Sequence, residues 1–357
     1  PSILLLYYNL YRIERKYSFV SLTFLSCQIV VEYMYTNFVI KKRYTKQHGN
    51  TNYNILTYDQ KKKRGDFMHT IDLHVHSNFS DGTCSPEDLI ELAYKKNLSA
   101  FALTDHDCVE GLEPAFAYLK KKGYPLELIP GTELSVDYNH HEIHLVGLFI
   151  DIHNQKLIKQ TTDFVNKRKQ RNLDMIKNFQ KAGIPMTAEE LSGGNPNAVI
   201  TRAHFARYLI EHGVAKDSKE AFSKYLGEDS PFYVKRTRTA AIDGIHLICE
   251  AGGVPILAHP LHYKLPEPTL RAMIQEFKEH GLRGIEVMYS NHFAADEVFV
   301  KRLAKEYDLL PSGGSDFHGK NKPSIDLGSG RGNLTIPYQY LVDLAACVDY
   351  PLHQKAD

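Results

Sequence analysis

The most informative stretch of the chain reads Ile71-Asp72-Leu73-His74-Val75-His76-Ser77. Its apolar residues predict a β-strand, and alternation along a strand puts the imidazoles of His74 and His76 on one face, where they can bind a single ion. Such a pair is weak evidence alone, because a structural or surface role fits it equally well. Asp81 follows in a Ser-Asp-Gly turn and places a carboxylate close behind the imidazoles.

Short apolar runs recur along the chain, and amphipathic segments lie between several of them. The runs span residues 71 to 75, 100 to 103, 126 to 129, 143 to 150, 254 to 258, 284 to 288 and 309 to 312. Ser85 and Pro86 mark the start of one predicted helix, as its N-cap and its first residue. Parallel strands need crossover connections, so this alternation predicts an α/β fold, one form of which is a barrel.

Residues 154 to 239 lack apolar runs and show helical periodicity instead. Segments 156 to 182 and 202 to 212 are predicted helices, and a glycine follows each of them. We therefore predict an all-helical insertion at residues 154 to 239. It would separate a first half of the α/β domain, residues 68 to 153, from a second half, residues 240 to 357.

Residues 1 to 67 are rich in Tyr, Phe, Ile and Asn and show no sustained hydrophobic period. We predict a poorly structured or spurious N-terminal extension, with Met68 as the natural start. Residues 18 to 40 are apolar enough to raise the question of a membrane span. Burial of Glu32 and of several other polar side chains there would be costly, so no membrane partner is expected.

The near-equal numbers of basic and acidic residues exclude a strong overall positive potential that would attract the protein to nucleic acid. The chain has 43 basic and 42 acidic residues, a formal net charge of +1. A stable duplex nucleic acid partner is therefore not expected, and affinity for phosphate must be local. The five cysteines form no Cys-x-x-Cys pair, which disfavours a disulfide framework or a thiolate zinc site and favours a cytoplasmic location. The oligomeric state is left open.

Further candidate ligands follow the other apolar runs. Within the run of residues 143 to 150, a lone His144 is more often a core residue than a ligand. Taken together, the candidates put six histidines and three carboxylates at the C-terminal ends of the runs, where α/β barrels gather their active sites. Mixed nitrogen and oxygen ligands predict two or three divalent cations, Mn, Zn or Fe. The candidate ligands are His74, His76, Asp81, His106, Glu133, His144, His259, Asp316 and His318.

These motifs together resemble the polymerase and histidinol phosphatase family, the PHP domain. Between about residues 68 and 335 the chain carries its H-x-H, S-D-G, T-D-H, G-x-E, A-H-P and S-D-x-H motifs in family order. The resemblance implies a distorted seven-stranded (β/α) barrel with a trinuclear metal site. It assigns one ion to His74, His76, Glu133 and Asp316, and the remaining ions to Asp81, His106, His144, His259 and His318. Asp316, His318 and His106 are the expected catalytic residues.

The resemblance is strongest to small stand-alone members that carry a helical insertion. It implies hydrolysis of nucleotide phosphate esters by a metal-bridging hydroxide. The substrates expected are nucleoside 3′,5′-bisphosphates or AMP, and short oligoribonucleotides degraded from the 5′ end. The alternatives are a histidinol-phosphate phosphatase and a non-catalytic PHP binding module.

Candidate phosphate-binding residues lie outside the metal motifs. Arg202 and His204 belong to a segment that resembles the family's T/G-R-x-H-F-A-R. Arg168 and Arg171 share one face of a predicted helix and either clamp a second phosphate or lie on a solvated surface. His262 stands where these relatives usually have arginine, and it is expected to substitute for that arginine in part.

Overall fold

The computed structural model describes residues 70 to 195, 198 to 235 and 237 to 352. The predictions for residues 1 to 67, which include the start at Met68 and the absence of a membrane span at residues 18 to 40, concern residues outside the described ranges. Among the described helices, none is both long and apolar enough to cross a lipid bilayer.

One sheet organises the fold, with strand order β8-β7-β6-β4-β3-β2-β1-β9 and with β5 paired to β3. β1 hydrogen-bonds in parallel to β2, β2 to β3, β6 to β7 and β7 to β8. The strands are β1 Thr70–Val75, β2 Ala100–Leu103, β3 Glu127–Tyr138, β4 His141–Leu148, β5 Thr239–Ala240, β6 Val254–Leu257, β7 Gly284–Tyr289, β8 Leu310–Gly314 and β9 Ile336–Pro337.

The ends of β1 and β8 meet and close the sheet into a barrel. The backbone N–H of His76 donates to the carbonyl of Phe317 at 3.0 Å, and that of Asp316 donates to the carbonyl of His74 at 2.9 Å. A Cβ on Gly314 would overlap the Cβ of His74, so only glycine permits this approach. The ring contains β1, β2, β3, β4, β6, β7 and β8, which confirms the predicted distorted (β/α) barrel.

An antiparallel hairpin causes the distortion. β3 and β4 pair from Gly131 with Leu148 to Tyr138 with His141, and β4 is antiparallel to β6 as well. The expectation that Glu133 and His144 lie at the C-terminal ends of strands was therefore wrong. Glu133 is in the middle of β3, which continues to Tyr138. His144 is in the first half of β4, which reaches the same mouth of the barrel because that strand runs backwards.

Helices cover the outside of the barrel, and their ends follow local sequence signals. Ser85 caps α1 in a capping box with Asp88, and the left-handed Gly123 ends α2. The helices are α1 Pro86–Lys95, α2 Leu112–Lys122, α3 Gln155–Lys181, α4 Ala188–Ser192, α5 Arg202–Glu211, α6 Ala241–Glu250, α7 Glu267–Glu279, α8 Ala294–Glu306 and α9 Tyr338–Ala345. Single turns occur at Ser218–Glu220, Gly319–Asn321 and Ala346–Val348, with a π-helix at Ala221–Leu226.

The described residues between β4 and β5 are helical or irregular, and they form an apolar core of their own. Met175 and Phe179 of α3 pack with Phe205 and Leu209 of α5, and all four are buried. Two contacts tie this layer to the barrel mouth. The backbone N–H of Val199 donates to the carbonyl of Phe79, in the loop after β1, at 3.0 Å, and the hydroxyl of Thr201 donates to Asp81 at 2.7 Å.

Candidate metal centre

His74, near the end of β1, and His76, just after it, point into the barrel mouth, as their spacing predicts. Nε2 of His74 and Nε2 of His76 each lie 3.3 Å from Oε2 of Glu133. The same nitrogens lie 3.9 and 3.4 Å from Oδ1 of Asp316. All four side chains are buried, so nitrogen and oxygen donors converge in a space that excludes most water.

Glu133 is the centre of the cluster. Its Oε2 lies 2.9 Å from Nδ1 of His106, and its Oε1 lies 2.8 Å from Nδ1 of His144 and 3.0 Å from Nε2 of His259. Backbone pairing fixes His106, because the chain after β2 continues beside β3 and the N–H of Glu133 donates to the carbonyl of Asp105 at 3.1 Å. The β3–β4 hairpin and the two strands beside it therefore place the imidazoles of His106, His144 and His259 next to the carboxylate of Glu133.

A second carboxylate, Asp81, completes the other side of the cluster. Its Oδ1 lies 3.0 Å from Nε2 of His318 and 3.9 Å from Nδ1 of His76, and its Oδ2 lies 3.8 Å from Nε2 of His106. Ligand atoms of three groups lie within 4.8 Å of one another. The groups are His76-Asp81-His106-His318, His74-His76-Glu133 and His106-Glu133-His144.

The buried donors fit divalent cations. Among the described residues, Nε2 of His74, Nε2 of His76, Nδ1 of His106 and Oδ1 of Asp81 are buried and have no hydrogen-bond partner of acceptable geometry. Buried polar atoms are normally satisfied, and a cation between these atoms would satisfy them together. Imidazole and carboxylate donors without thiolate suit Mn, Zn or Fe.

Charge coupling within the cluster is strong. Burial lowers the pKa of His76, but its contacts with Asp316 and Glu133 outweigh burial and raise this pKa to about 9. Burial raises the pKa of Glu133, but His106, His74 and His144 hold it well below its usual range. Protons and cations therefore compete for the same nitrogens.

Four residues at the site were not identified from the sequence. Glu286 on β7 lies 3.1 Å from Nδ1 of His74, and its Oε2 accepts the backbone N–H of His259 at 2.7 Å. Tyr289 donates its hydroxyl to Oδ2 of Asp316 at 3.0 Å, and Lys322 donates to the same oxygen at 2.6 Å. Glu142 lies 3.8 Å from Nε2 of His144. Glu286 could have been recognised from the sequence, because it is an acidic residue inside the apolar run of residues 284 to 288 and a buried carboxylate needs partners.

The predicted phosphate-binding residues fall into two groups. His262 lines a cavity of about 90 Å³ at the cluster, together with Tyr289 and Lys322. Arg202 is partly exposed and donates to Glu142 at 2.6 Å. These two residues are placed where a substrate can reach them.

The other candidates are buried. Arg168 and Arg171 are 5% and 6% exposed, so a solvated helix face is excluded for them. Arg168 forms an ion pair with Asp107 and donates to Ser135 at 3.1 Å. Nδ1 of His204 accepts the N–H of Thr201 at 3.0 Å in the cap of α5. Burial lowers the pKa of His204 to about 4, so it is a neutral side chain behind Asp81.

Comparison with known proteins identifies the family. The sequence profile described as PHP domain matches residues 72–228. The chain is 36% identical over 266 residues to the 5′-3′ exoribonuclease of Haemophilus influenzae, an alignment that covers 71% of this chain and 95% of the relative. The chain belongs to the PHP domain family.

Two further similar proteins support this assignment. The 3′,5′-nucleoside bisphosphate phosphatase of Chromobacterium violaceum is 35% identical over 73% of this chain and 91% of its own. A crystal structure from Bifidobacterium adolescentis, described as a candidate metal-dependent phosphoesterase, superposes with a TM-score of 0.68 at 27% identity. That alignment covers 77% of this chain and 95% of the other. This PHP protein is thus a metal-dependent phosphoesterase, as the sequence predicted.

Proposed function

We propose that this PHP protein hydrolyses nucleotide phosphate esters, with two or three Mn, Zn or Fe ions held by the nine predicted ligands. The observation that carries the proposal is the convergence of five imidazoles on the single carboxylate of Glu133. The expected substrates are nucleoside 3′,5′-bisphosphates or AMP, and short oligoribonucleotides attacked at the 5′ end.

The ions, when bound, lower the pKa of water and neutralise charge on the phosphoryl oxygens. The chain itself contributes positive charge around that position. Nζ of Lys322 lies 2.6 Å from Oδ2 of Asp316, and Nη2 of Arg202 lies 2.6 Å from Oε2 of Glu142. Cations held in place before the reaction stabilise the charge that develops during in-line attack on phosphorus.

The substrate class is supported by the relatives, whose names describe a 5′-3′ exoribonuclease and a 3′,5′-nucleoside bisphosphate phosphatase. A histidinol-phosphate phosphatase is not favoured by these names. A non-catalytic module is not favoured either, because each of the nine predicted ligands is present and lies at the barrel mouth.

A reconstitution assay tests the proposal. Protein stripped by a chelator is assayed alone and after addition of Mn²⁺, Zn²⁺ or Fe²⁺, with metal content measured by elemental analysis. The panel contains adenosine 3′,5′-bisphosphate, AMP, a 5′-phosphorylated trinucleotide and histidinol phosphate. We expect activity on the nucleotides only, restored by metal. Turnover of histidinol phosphate alone, or equal turnover in the stripped protein, would overturn the proposal.

A further inference from the structure

A second cavity, of about 740 Å³, lies at the end of β7. The loop after β7 forms one wall, and the loop that contains Arg331 and Asn333 forms another. The residues that line this cavity differ from those that line the cavity of about 90 Å³ at the metal ligands. Ligand pockets commonly have volumes of about 300 to 1,000 Å³, so the cavity can hold a nucleoside.

A chain of hydrogen bonds connects this cavity to the metal centre. Tyr289, the last residue of β7, donates its hydroxyl to Oδ2 of Asp316 at 3.0 Å, and Asn291 in the cavity wall donates to that hydroxyl at 3.4 Å. The amide of Asn291 is therefore two hydrogen bonds away from a predicted metal ligand. This separation is comparable to that between a phosphate and the base of one nucleotide.

The cavity presents an exposed aromatic ring. Phe293 lines it and is 79% exposed, more than any other large hydrophobic residue in the described ranges. Exposure of a phenyl ring to water is unfavourable, and the flat face of a nucleobase can cover it by stacking. A ring of this kind beside a phosphoesterase centre suits the base of a nucleotide.

A buried imidazole beside Phe293 lacks one hydrogen bond. His292 also lines the cavity and is 6% exposed, and its Nδ1 lies 2.9 Å from the carbonyl of Val287. A carbonyl only accepts, so the proton of the neutral ring is on Nδ1 and Nε2 is an acceptor. In the part of the chain that the structure describes, Nε2 has no partner. A ligand N–H would supply one.

The charges that line the cavity suit an uncharged ligand. The guanidinium of Arg331 and the carboxylate of Glu297 both line it, and their charges cancel. The guanidinium is held in place, because Nε donates to Asn291 and Nη1 donates to Ser324, each at 2.9 Å. A phosphate would approach the carboxylate as well as the guanidinium, whereas a neutral base avoids that repulsion.

We propose that this cavity binds the base of the nucleotide substrate, with the base stacked on Phe293 and an N–H of its edge donated to Nε2 of His292. The inference rests on the proposed function and adds to it a site that selects nucleotides over other phosphate esters. Adenine, guanine and cytosine each carry an N–H donor on the edge that pairs with other bases.

A substrate pair that differs only in the base tests the inference. We compare kcat/KM for adenosine 3′,5′-bisphosphate with kcat/KM for its abasic analogue, 1-deoxyribose 3,5-bisphosphate, which carries both phosphates. The proteins are the wild type, Phe293→Ala, Phe293→Tyr, His292→Asn and Tyr94→Ala. Tyr94 is the matched control, because it is an exposed aromatic residue on α1, where it stacks on Tyr124.

We expect Phe293→Ala to lower the ratio of the two kcat/KM values by about 10- to 100-fold, the range for one lost base stack. Phe293→Tyr keeps the ring and should retain the ratio, as should Tyr94→Ala. An equal loss on both substrates, with an unchanged ratio in Phe293→Ala, would mean that Phe293 serves only the fold and would overturn the inference.

The variant His292→Asn tests the hydrogen bond to the base. Asparagine can still donate to the carbonyl of Val287 but has no atom in the position of Nε2. We expect the ratio to fall by about 2- to 10-fold, the range for one neutral hydrogen bond. An unchanged ratio in His292→Asn would refute the role of this imidazole.

A binding measurement separates this inference from the proposed function. Calorimetric titration of the chelated protein compares the affinities of adenosine 3′,5′-bisphosphate and its abasic analogue without turnover. We expect the wild type to prefer the nucleotide and Phe293→Ala to lose this preference. Failure of the metal-loaded wild type to hydrolyse either compound would refute the proposed function. Equal affinity of the wild type for both compounds would refute the base site.

Discussion

Glu286 contacts the imidazole of His74 on the side of the ring that faces away from Glu133. Its Oε1 lies 3.1 Å from Nδ1, while Nε2 on the far side of the ring faces Glu133 at 3.3 Å. The other oxygen of Glu286 accepts the backbone N–H of His259, so one carboxylate positions two predicted ligands. Such contacts behind a ligand fix the tautomer of the imidazole and direct its free nitrogen to the metal.

The substitution Glu286→Gln should weaken cation binding without removing a ligand. The amide cannot accept from both His74 and the N–H of His259 with equal strength, so the ring loses its fixed orientation. We expect metal affinity to fall by about 10- to 100-fold. Competition with a chromophoric chelator measures this affinity, and Glu279→Gln on the exposed side of α7 is the control. Unchanged affinity in Glu286→Gln would contradict the positioning role.

The substitution Asp316→Ala should abolish turnover and leave the fold largely intact. Its carboxylate lies within 4 Å of three imidazoles, and its Oδ2 accepts from Tyr289 and Lys322. Removal of a predicted ligand should lower kcat below detection. Asp163→Ala, exposed on α3, is the matched control. Circular dichroism checks the fold, and retained activity in Asp316→Ala would refute the ligand assignment.

The buried pair of Arg168 and Asp107 links α3 to the barrel mouth. The substitution Arg168→Met removes a buried cation that pairs with the fully buried carboxylate of Asp107, and we expect it to cost about 3–5 kcal/mol of unfolding free energy. The double variant with Asp107→Asn should recover part of that loss. Chemical denaturation measures each variant, with Lys167→Met on the exposed face of α3 as the control. If Arg168→Met matched the control, the pair would not contribute to stability.

The metal-free protein should lose stability as the pH rises above neutral. Burial lowers the pKa of His76 and His144, but their carboxylate partners, Asp316 and Glu133 for His76 and Glu133 and Glu142 for His144, raise both to about 9, above the ordinary 6.5. The folded state then binds more protons than the unfolded state between these values. The associated stability is complete below pH 6.5 and is lost as the pH passes 9.

Bound metal should counteract this loss of stability at high pH, because cations displace the protons of His76 and His144 more easily as the pH rises. We expect the melting temperature of the chelated protein to fall between pH 6.5 and pH 9. The increase in melting temperature on addition of Mn²⁺ should grow over the same range. An increase that is independent of pH would show that cations and protons do not compete at this site.

Much of the site follows from local sequence. The alternation of β1 directs His74 and His76 to one face, and apolar runs followed by His106, His259, Asp316 and His318 predict donors at strand ends. Each of these inferences depends on backbone periodicity, which residues a few positions apart determine. The sequence of motifs also identified the PHP domain, and relatives of high coverage confirm that family.

Other features depend on the tertiary structure. The antiparallel course of β4 places His144 at the mouth, although its position within an apolar run resembles that of a core histidine. Glu286, Tyr289 and Lys322 become part of the site because strands and loops far apart in sequence meet there. Local periodicity fixes which way a side chain points from its own strand. Which charged groups on other strands face that side chain is determined only when the barrel closes, because those groups lie tens to hundreds of residues away in the sequence.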